Sequence, residues 1–129
     1  MFTAQLSIVI VESQPLMRSA LNTTLSAEGM TILAVLAGSS QVVRTASVLI
    51  PDLILFSIDT PNWEDLKAIS TLRHNHPATL ILALITGEFR GQEQTILEHG
   101  AHMVLTKSVP RSELLHALKQ LRKLQSVDL

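Results

Sequence analysis

Leu6-Ser7-Ile8-Val9-Ile10-Val11-Glu12-Ser13-Gln14-Pro15-Leu16 is the stretch on which the reading of this 129-residue chain turns. Leu6 to Val11 is an almost unbroken apolar run rich in β-branched residues. A run so short and so apolar is expected to be a strand buried on both faces. Glu12-Ser13-Gln14-Pro15 breaks it, and Pro15 suits the first turn of a helix, where its missing N–H costs nothing. Leu16, Ala20, Leu21, Thr24 and Leu25 then recur at helical spacing, and Gly29 ends that helix. A buried strand running straight into an amphipathic helix is the repeating unit of a parallel α/β sheet.

The unit recurs along the chain. Met30 to Leu36 reads as a second strand, and Gly38-Ser39-Ser40 offers a helix start. Val42, Val43, Ala46 and Leu49 form the next apolar face, stopped before Pro51. Asp52 to Ile58 is the third apolar run, followed by a loop at Asp59-Thr60-Pro61-Asn62 that also takes in Trp63, read as a half-buried loop residue. Leu66, Ile69 and Leu72 lead a helix that ends near His76-Pro77. Thr79 to Ile85 is the fourth strand, closed by Thr86-Gly87, and a short helix holding Ile96 and Leu97 stops at Gly100. Ala101 to Leu105 is the fifth strand, and Pro110 opens a last helix carrying Leu114, Leu115, Leu118 and Leu121. Alternation of this kind predicts a doubly wound five-stranded parallel sheet with helices on both faces. We expect one domain over residues 1–129, with its core at about 6–124 and a frayed tail at 125–129.

Composition narrows the function. The chain is 47% hydrophobic and 16% charged, enough apolar material for a core and too little charge for a disordered segment. A formal net charge of −1 gives no electrostatic footprint for nucleic acid. The absence of cysteine excludes disulfides and thiolate metal sites. No apolar run approaches the about 20 residues needed to cross a bilayer, and the N-terminus lacks the basic start of a signal peptide. A cytoplasmic protein with no membrane contact is the expectation.

Open α/β sheets place their working loops at the carboxyl ends of the strands. That rule selects Glu12, Ser13, Ser57, Asp59, Thr86, Gly87, Thr106 and Lys107. Other signals are weak. His74-Asn75-His76 sits at a helix end, where histidines complement the dipole, and His99 and His102, separated by Gly100, read as surface histidines rather than zinc ligands. Neither a Gly-x-x-x-x-Gly-Lys loop nor a Gly-x-Gly-x-x-Gly turn is present. The turn after the first strand is not a Ser/Thr-rich flavin cradle, and aromatic residues are scarce. Arg111, Lys119, Arg122 and Lys123 make the last helix basic.

From about Leu6 to Leu124 the sequence resembles the receiver domain of bacterial response regulators. Ile8-Val9-Ile10-Val11-Glu12-Ser13-Gln14-Pro15-Leu16 is similar to the family's first strand, acid pair and His-Pro-Leu. Pro51-Asp52-Leu53-Ile54-Leu55-Phe56-Ser57 is similar to the segment ending at the phosphorylated aspartate. Gly100-Ala101-His102-Met103-Val104-Leu105-Thr106-Lys107 is similar to the segment ending at the family's lysine. The resemblance implies a flavodoxin-like sheet of strand order 2-1-3-4-5. It also implies a damaged pocket, a pseudo-receiver. Glu12 keeps one carboxylate of the acid pair and Ser13 replaces the other. Ser57 stands at the phosphoacceptor position, since Pro61 follows it by the family's four residues. Thr86, or else Ile85, falls at the Thr/Ser position; Gly87 favours Thr86. Lys107 is retained, and Val104 takes the place of the coupling aromatic.

Phosphoryl transfer in this family needs a carboxylate nucleophile and Mg²⁺, which takes hard oxygens. Glu12 and Asp59 alone are expected to hold Mg²⁺ weakly, so no cofactor is assigned. A serine nucleophile needs an activating base, and the sequence names none. The expected function is therefore a non-enzymatic signalling module that works by protein–protein contact. Its partner would be a sensor kinase, an effector domain or a second copy, met through the fourth helix, fifth strand and fifth helix. Two alternatives remain open: phosphorylation on Asp59, and a small-anion site anchored by Thr86 and Lys107. No helix-turn-helix lies within the chain; if the natural protein is longer, this is its N-terminal regulatory domain.

Overall fold

The computed structural model describes residues 6–59 and 62–127. Strands β1 (Ser7–Val11), β2 (Thr31–Leu36), β3 (Leu53–Ile58), β4 (Leu80–Ile85) and β5 (Met103–Thr106) alternate with helices α1 (Pro15–Ala27), α2 (Val42–Leu49), α3 (Trp63–Asn75), α4 (Glu93–His99) and α5 (Arg111–Val127). A 3-10 turn over Gly87–Gln92 precedes α4. The sheet is parallel throughout, in the order β2-β1-β3-β4-β5. This is the doubly wound, flavodoxin-like arrangement expected. The backbone of α5 continues to Val127, past Leu124; Thr60, Pro61 and residues 128 and 129 lie outside the described residues.

Strand periodicity decides which helix covers which residue, because successive side chains point to opposite faces. Ile8, Ile10, Leu53, Leu55, Leu80, Leu82 and Leu84 pack with Leu21 and Leu25 of α1 and Leu114, Leu118 and Leu121 of α5. Val9, Val11, Ile54, Phe56, Ile58, Ile81, Ala83 and Ile85 pack on the other face with Val42, Ala46, Ala68, Ile69, Leu72 and Ile96 from α2, α3 and α4. Every residue of β3 and of β4 is buried. Such strands read as continuous apolar runs, which is why the sequence shows them clearly.

Helix ends follow local chemistry. Pro15 opens α1, and Asn62 caps α3 by accepting from the Asp65 amide at 2.9 Å. Gly29 and Gly100 carry positive φ after α1 and α4. Gly100 has a second reason: a Cβ there would lie 2.7 Å from Cβ and Cγ of Arg73. Ile50 takes the left-handed conformation before Pro51, an uncommon place for a β-branched residue.

Three expectations change. Leu16 is 87% exposed rather than part of the apolar face, because it lies in the first turn of α1 while the buried contacts come from Leu21 and Leu25. Trp63 is the first residue of α3, not a loop residue, and it is 68% exposed, its ring edge-on to His99. His102 is half-buried, not a surface histidine. Its Nδ1 accepts the backbone N–H of Ile81 at 3.1 Å, which fixes the imidazole as a neutral acceptor.

Candidate functional site

The alternation that builds the core also assembles the site. Position 12 continues the Ile8–Ile10 row, and position 57 continues Leu53–Leu55 on the neighbouring strand, where Ile10 pairs Leu55 and Val11 pairs Phe56. Thr86 continues the row of Leu82 and Leu84, and Lys107 that of Met103 and Leu105. All four positions extend the α1/α5 side of the sheet at its carboxyl edge, where the packed layer gives way to loops. Thr106 is the last residue of β5, so the fifth strand ends one residue later than expected.

Three of the four join one polar network. Glu12 is fully buried, and Ser57 Oγ donates to its Oε1 at 2.5 Å. Lys107 Nζ lies 3.1 Å from Glu12 Oε1 and 3.4 Å from Oε2. The backbone N–H of Gln14, at the start of α1, donates to Oε2 at 3.0 Å. Lys107 also pairs with Oδ1 of Asp59, while Ser13 Oγ donates to its Oδ2. The loops after β1, β3 and β5 are thus tied together by one ammonium, two hydroxyls and two carboxylates. Breaking a buried ion pair by removing one partner costs about 3–5 kcal/mol, so Lys107 is a structural necessity once Glu12 is buried.

Arg18, one turn into α1, braces the first loop. Its Nη1 donates to the carbonyls of Glu12 at 2.9 Å and Ser13 at 3.0 Å. The sequence analysis missed this residue, although its position just after Pro15 placed it on the first turn facing that loop. Thr86 stays apart: its Oγ1 is buried without a hydrogen-bond partner among the described residues. Main-chain bonds nevertheless set it beside Lys107, whose N–H donates to the carbonyl of Ile85 at 2.7 Å.

A cleft of about 230 Å³ opens next to this network, lined by Ser13, Gly38, Ser39, Ser57, Asp59 and Asp65 among others. Among the described residues no lysine or arginine lines it, while Asp59 and Asp65 do, so it is unsuited to an anion. Burial pushes the Asp59 carboxyl up, but hydrogen bonds from Lys107 and Ser13 and the ammonium charge outweigh it and hold the group below its ordinary value. Asp65 is shifted the other way. Its burial dominates, Glu64 and Asp59 add repulsion, and a hydrogen bond with Ser39 opposes them only in part.

A carboxylate does lie against Ser57, where the sequence named no base: Glu12 Oε1 accepts the hydrogen bond that the Ser57 hydroxyl donates. That carboxylate is already shared with Lys107. Lys107 in turn meets two anions of its own chain, which leaves it poorly placed to anchor a third. Val104, at the expected coupling position, is half-buried and packs on the α2/α3/α4 side. Among the described residues no group of three or more histidine, aspartate or glutamate side chains is arranged to hold a metal, and no helix is long and apolar enough to cross a membrane.

A sheet of this order with its polar groups at the carboxyl edge defines a class, and comparison with known proteins identifies it. Residues 8–119 match the family described as the response regulator receiver domain, and the chain belongs to that family. The nitrate/nitrite response regulator protein NarL of Escherichia coli is 26% identical over 115 residues, 88% of this chain and 53% of that protein. The chain therefore spans about half the length of that curated relative. The receiver domain of a sensor histidine kinase from Pseudomonas aeruginosa, solved with a magnesium ion coordinated in its active site cleft, is 26% identical. It superposes with a TM-score of 0.79, covering 92% of this chain and 98% of that one. A CheY-like receiver domain protein from Methanospirillum hungatei shares the fold at a TM-score of 0.86 and 18% identity, over 98% of this chain and all of that one.

Proposed function

We propose that this receiver domain transmits signals through protein–protein contacts without forming an aspartyl phosphate. The observation that carries the reading is Ser57: it is the penultimate residue of the buried strand β3, lines the pocket, and donates a hydrogen bond to Glu12. A hydroxyl in that place cannot form the acyl phosphate on which a reversible receiver switch depends, and a serine ester would not hydrolyse as readily. Ser13 removes a second carboxylate from the same pocket. The domain is read as a non-enzymatic module with no resident cofactor.

The surface for contact is read at α4, β5 and α5. Leu97 is 37% exposed on α4 beside the exposed Glu98, and Lys119 and Lys123 are exposed on α5. An apolar centre with opposite charges on the two helices that flank β5 suits a self-complementary contact between two copies. A sensor kinase or an effector domain on the same face is the other occupant of this reading.

Intact mass after incubation with Mg²⁺ and acetyl phosphate tests the proposal, run beside a receiver that does label. The expected result is an unchanged mass. A phosphoryl adduct removed by hydroxylamine overturns it. Asp59 is then the first residue to replace, since its side chain is 30% exposed and lines the cleft.

A further inference from the structure

We infer that Lys107 is the resident cation of this pocket and that the site excludes a divalent metal ion. The argument rests on counting acceptors. A carboxylate offers roughly four lone-pair directions on its two oxygens. Glu12 meets three donors that occupy both of its oxygens: Ser57 Oγ at 2.5 Å on Oε1, the Gln14 N–H at 3.0 Å on Oε2, and the Lys107 ammonium straddling the two at 3.1 and 3.4 Å. Neither oxygen of that carboxylate is without a donor, and its complete burial denies it an approach from solvent. Asp59 has a donor on each oxygen as well, Lys107 on one and Ser13 on the other.

Charge points the same way. Mg²⁺ keeps several waters and needs near-ideal octahedral oxygen geometry at about 2.0–2.1 Å. To reach both carboxylates it would have to sit where the ammonium now bridges them. It would also displace the serine hydroxyls, which present hydrogens rather than lone pairs to Glu12 and Asp59. One lysine faces two carboxylates, so the trio carries a net charge of −1. A dication placed beside the ammonium would instead meet a cation at contact distance. The donor set therefore does not fit the metal seen in the Pseudomonas kinase receiver.

Lys107 then performs mechanically what a bound ion would perform. It holds the loops after β1, β3 and β5 in one arrangement, with the counter-ion covalently part of the chain. Such a pocket has no metal-free and metal-loaded states to switch between.

The test is Mn²⁺ titration of the full chain, followed by paramagnetic broadening of backbone amide resonances at residues 12–14, 58, 59, 107 and 108. At millimolar Mn²⁺ the wild type is expected to show no selective loss at those amides. Lys107→Met removes the ammonium and its repulsion, and the variant's apparent affinity is expected to rise by about tenfold or more. Should that variant fail to fold, with Glu12 left buried and unpaired, Ser13→Asp serves instead, because a third carboxylate outweighs the single lysine. Selective broadening in the wild type overturns the inference. So does a folded variant that binds no more tightly than wild type. The inference does not depend on which residue accepts a phosphoryl group: metal binding with an unchanged mass defeats it and leaves the proposed function standing.

Discussion

His102 shows how one side chain couples acidity to stability here. Burial disfavours its charged form and Arg73 adds repulsion, so its pKa lies below the ordinary 6.5. At pH values above that, the ring is neutral in both folded and unfolded chains and contributes no slope. As pH falls through the unfolded value, the unfolded ring takes a proton that the folded ring resists, so stability declines until the folded ring also titrates. Urea midpoints measured between about pH 8 and pH 5 are expected to fall for the wild type and to fall less for His102→Leu. An equal slope in the two proteins would place the titration elsewhere. Single residues were also where the sequence was hardest to read. Ser57, Glu12 and Lys107 were visible as letters at strand ends, but Ser13 reaching Asp59 is a contact between loops and Arg18 bracing two carbonyls is one from helix to loop, and no periodicity encodes them. His102 went unrecognised as a buried acceptor because its ring bonds to the backbone of a neighbouring strand.

The elements themselves were legible because most obey one rule each. β3 and β4 are apolar at every position but Ser57, which matches burial on both faces, and α1 and α5 repeat leucine at helical spacing. Ends were less legible where a contact from outside the element intervened. Trp63 joined α3 because Asn62 caps the helix immediately before it, a cap that looks like any other loop asparagine in the sequence. Gly100 is the clearest case of an element fixed from outside. Its φ of +128° and the closeness of Arg73 together forbid a side chain at the turn between α4 and β5. Gly100→Ala is expected to cost about 2–4 kcal/mol, combining backbone strain with overpacking. Chemical denaturation measures it, and a loss under about 0.5 kcal/mol would mean that Arg73 moves aside freely. Arg73→Ala in the Gly100→Ala background is expected to recover the steric part and leave the backbone part.

For the whole molecule, the sheet sorts its residues into a rigid interior and a polar rim that differ in how they can fail. Order and face were readable from alternation and from the resemblance to receivers, whereas the ion-paired pocket emerged only when the strands were set side by side. β3 and β4 are covered on both faces and paired along both edges, while β2, at the sheet's border, is more exposed and has its register broken opposite Ile8 and Val9. Amide protons of Leu53–Ile58 and Leu80–Ile85 are therefore expected to exchange with deuterium only when the entire chain opens, and those of Thr31–Leu36 through smaller, more frequent openings. Exchange mass spectrometry would show the two central strands losing protection together as denaturant is added. Early exchange in either one would mean that the sheet can part down its middle. A molecule with that ranking frays from its β2 border inward, so limited proteolysis would find its first cut sites beside β2 and leave the strand that carries Ser57 until last.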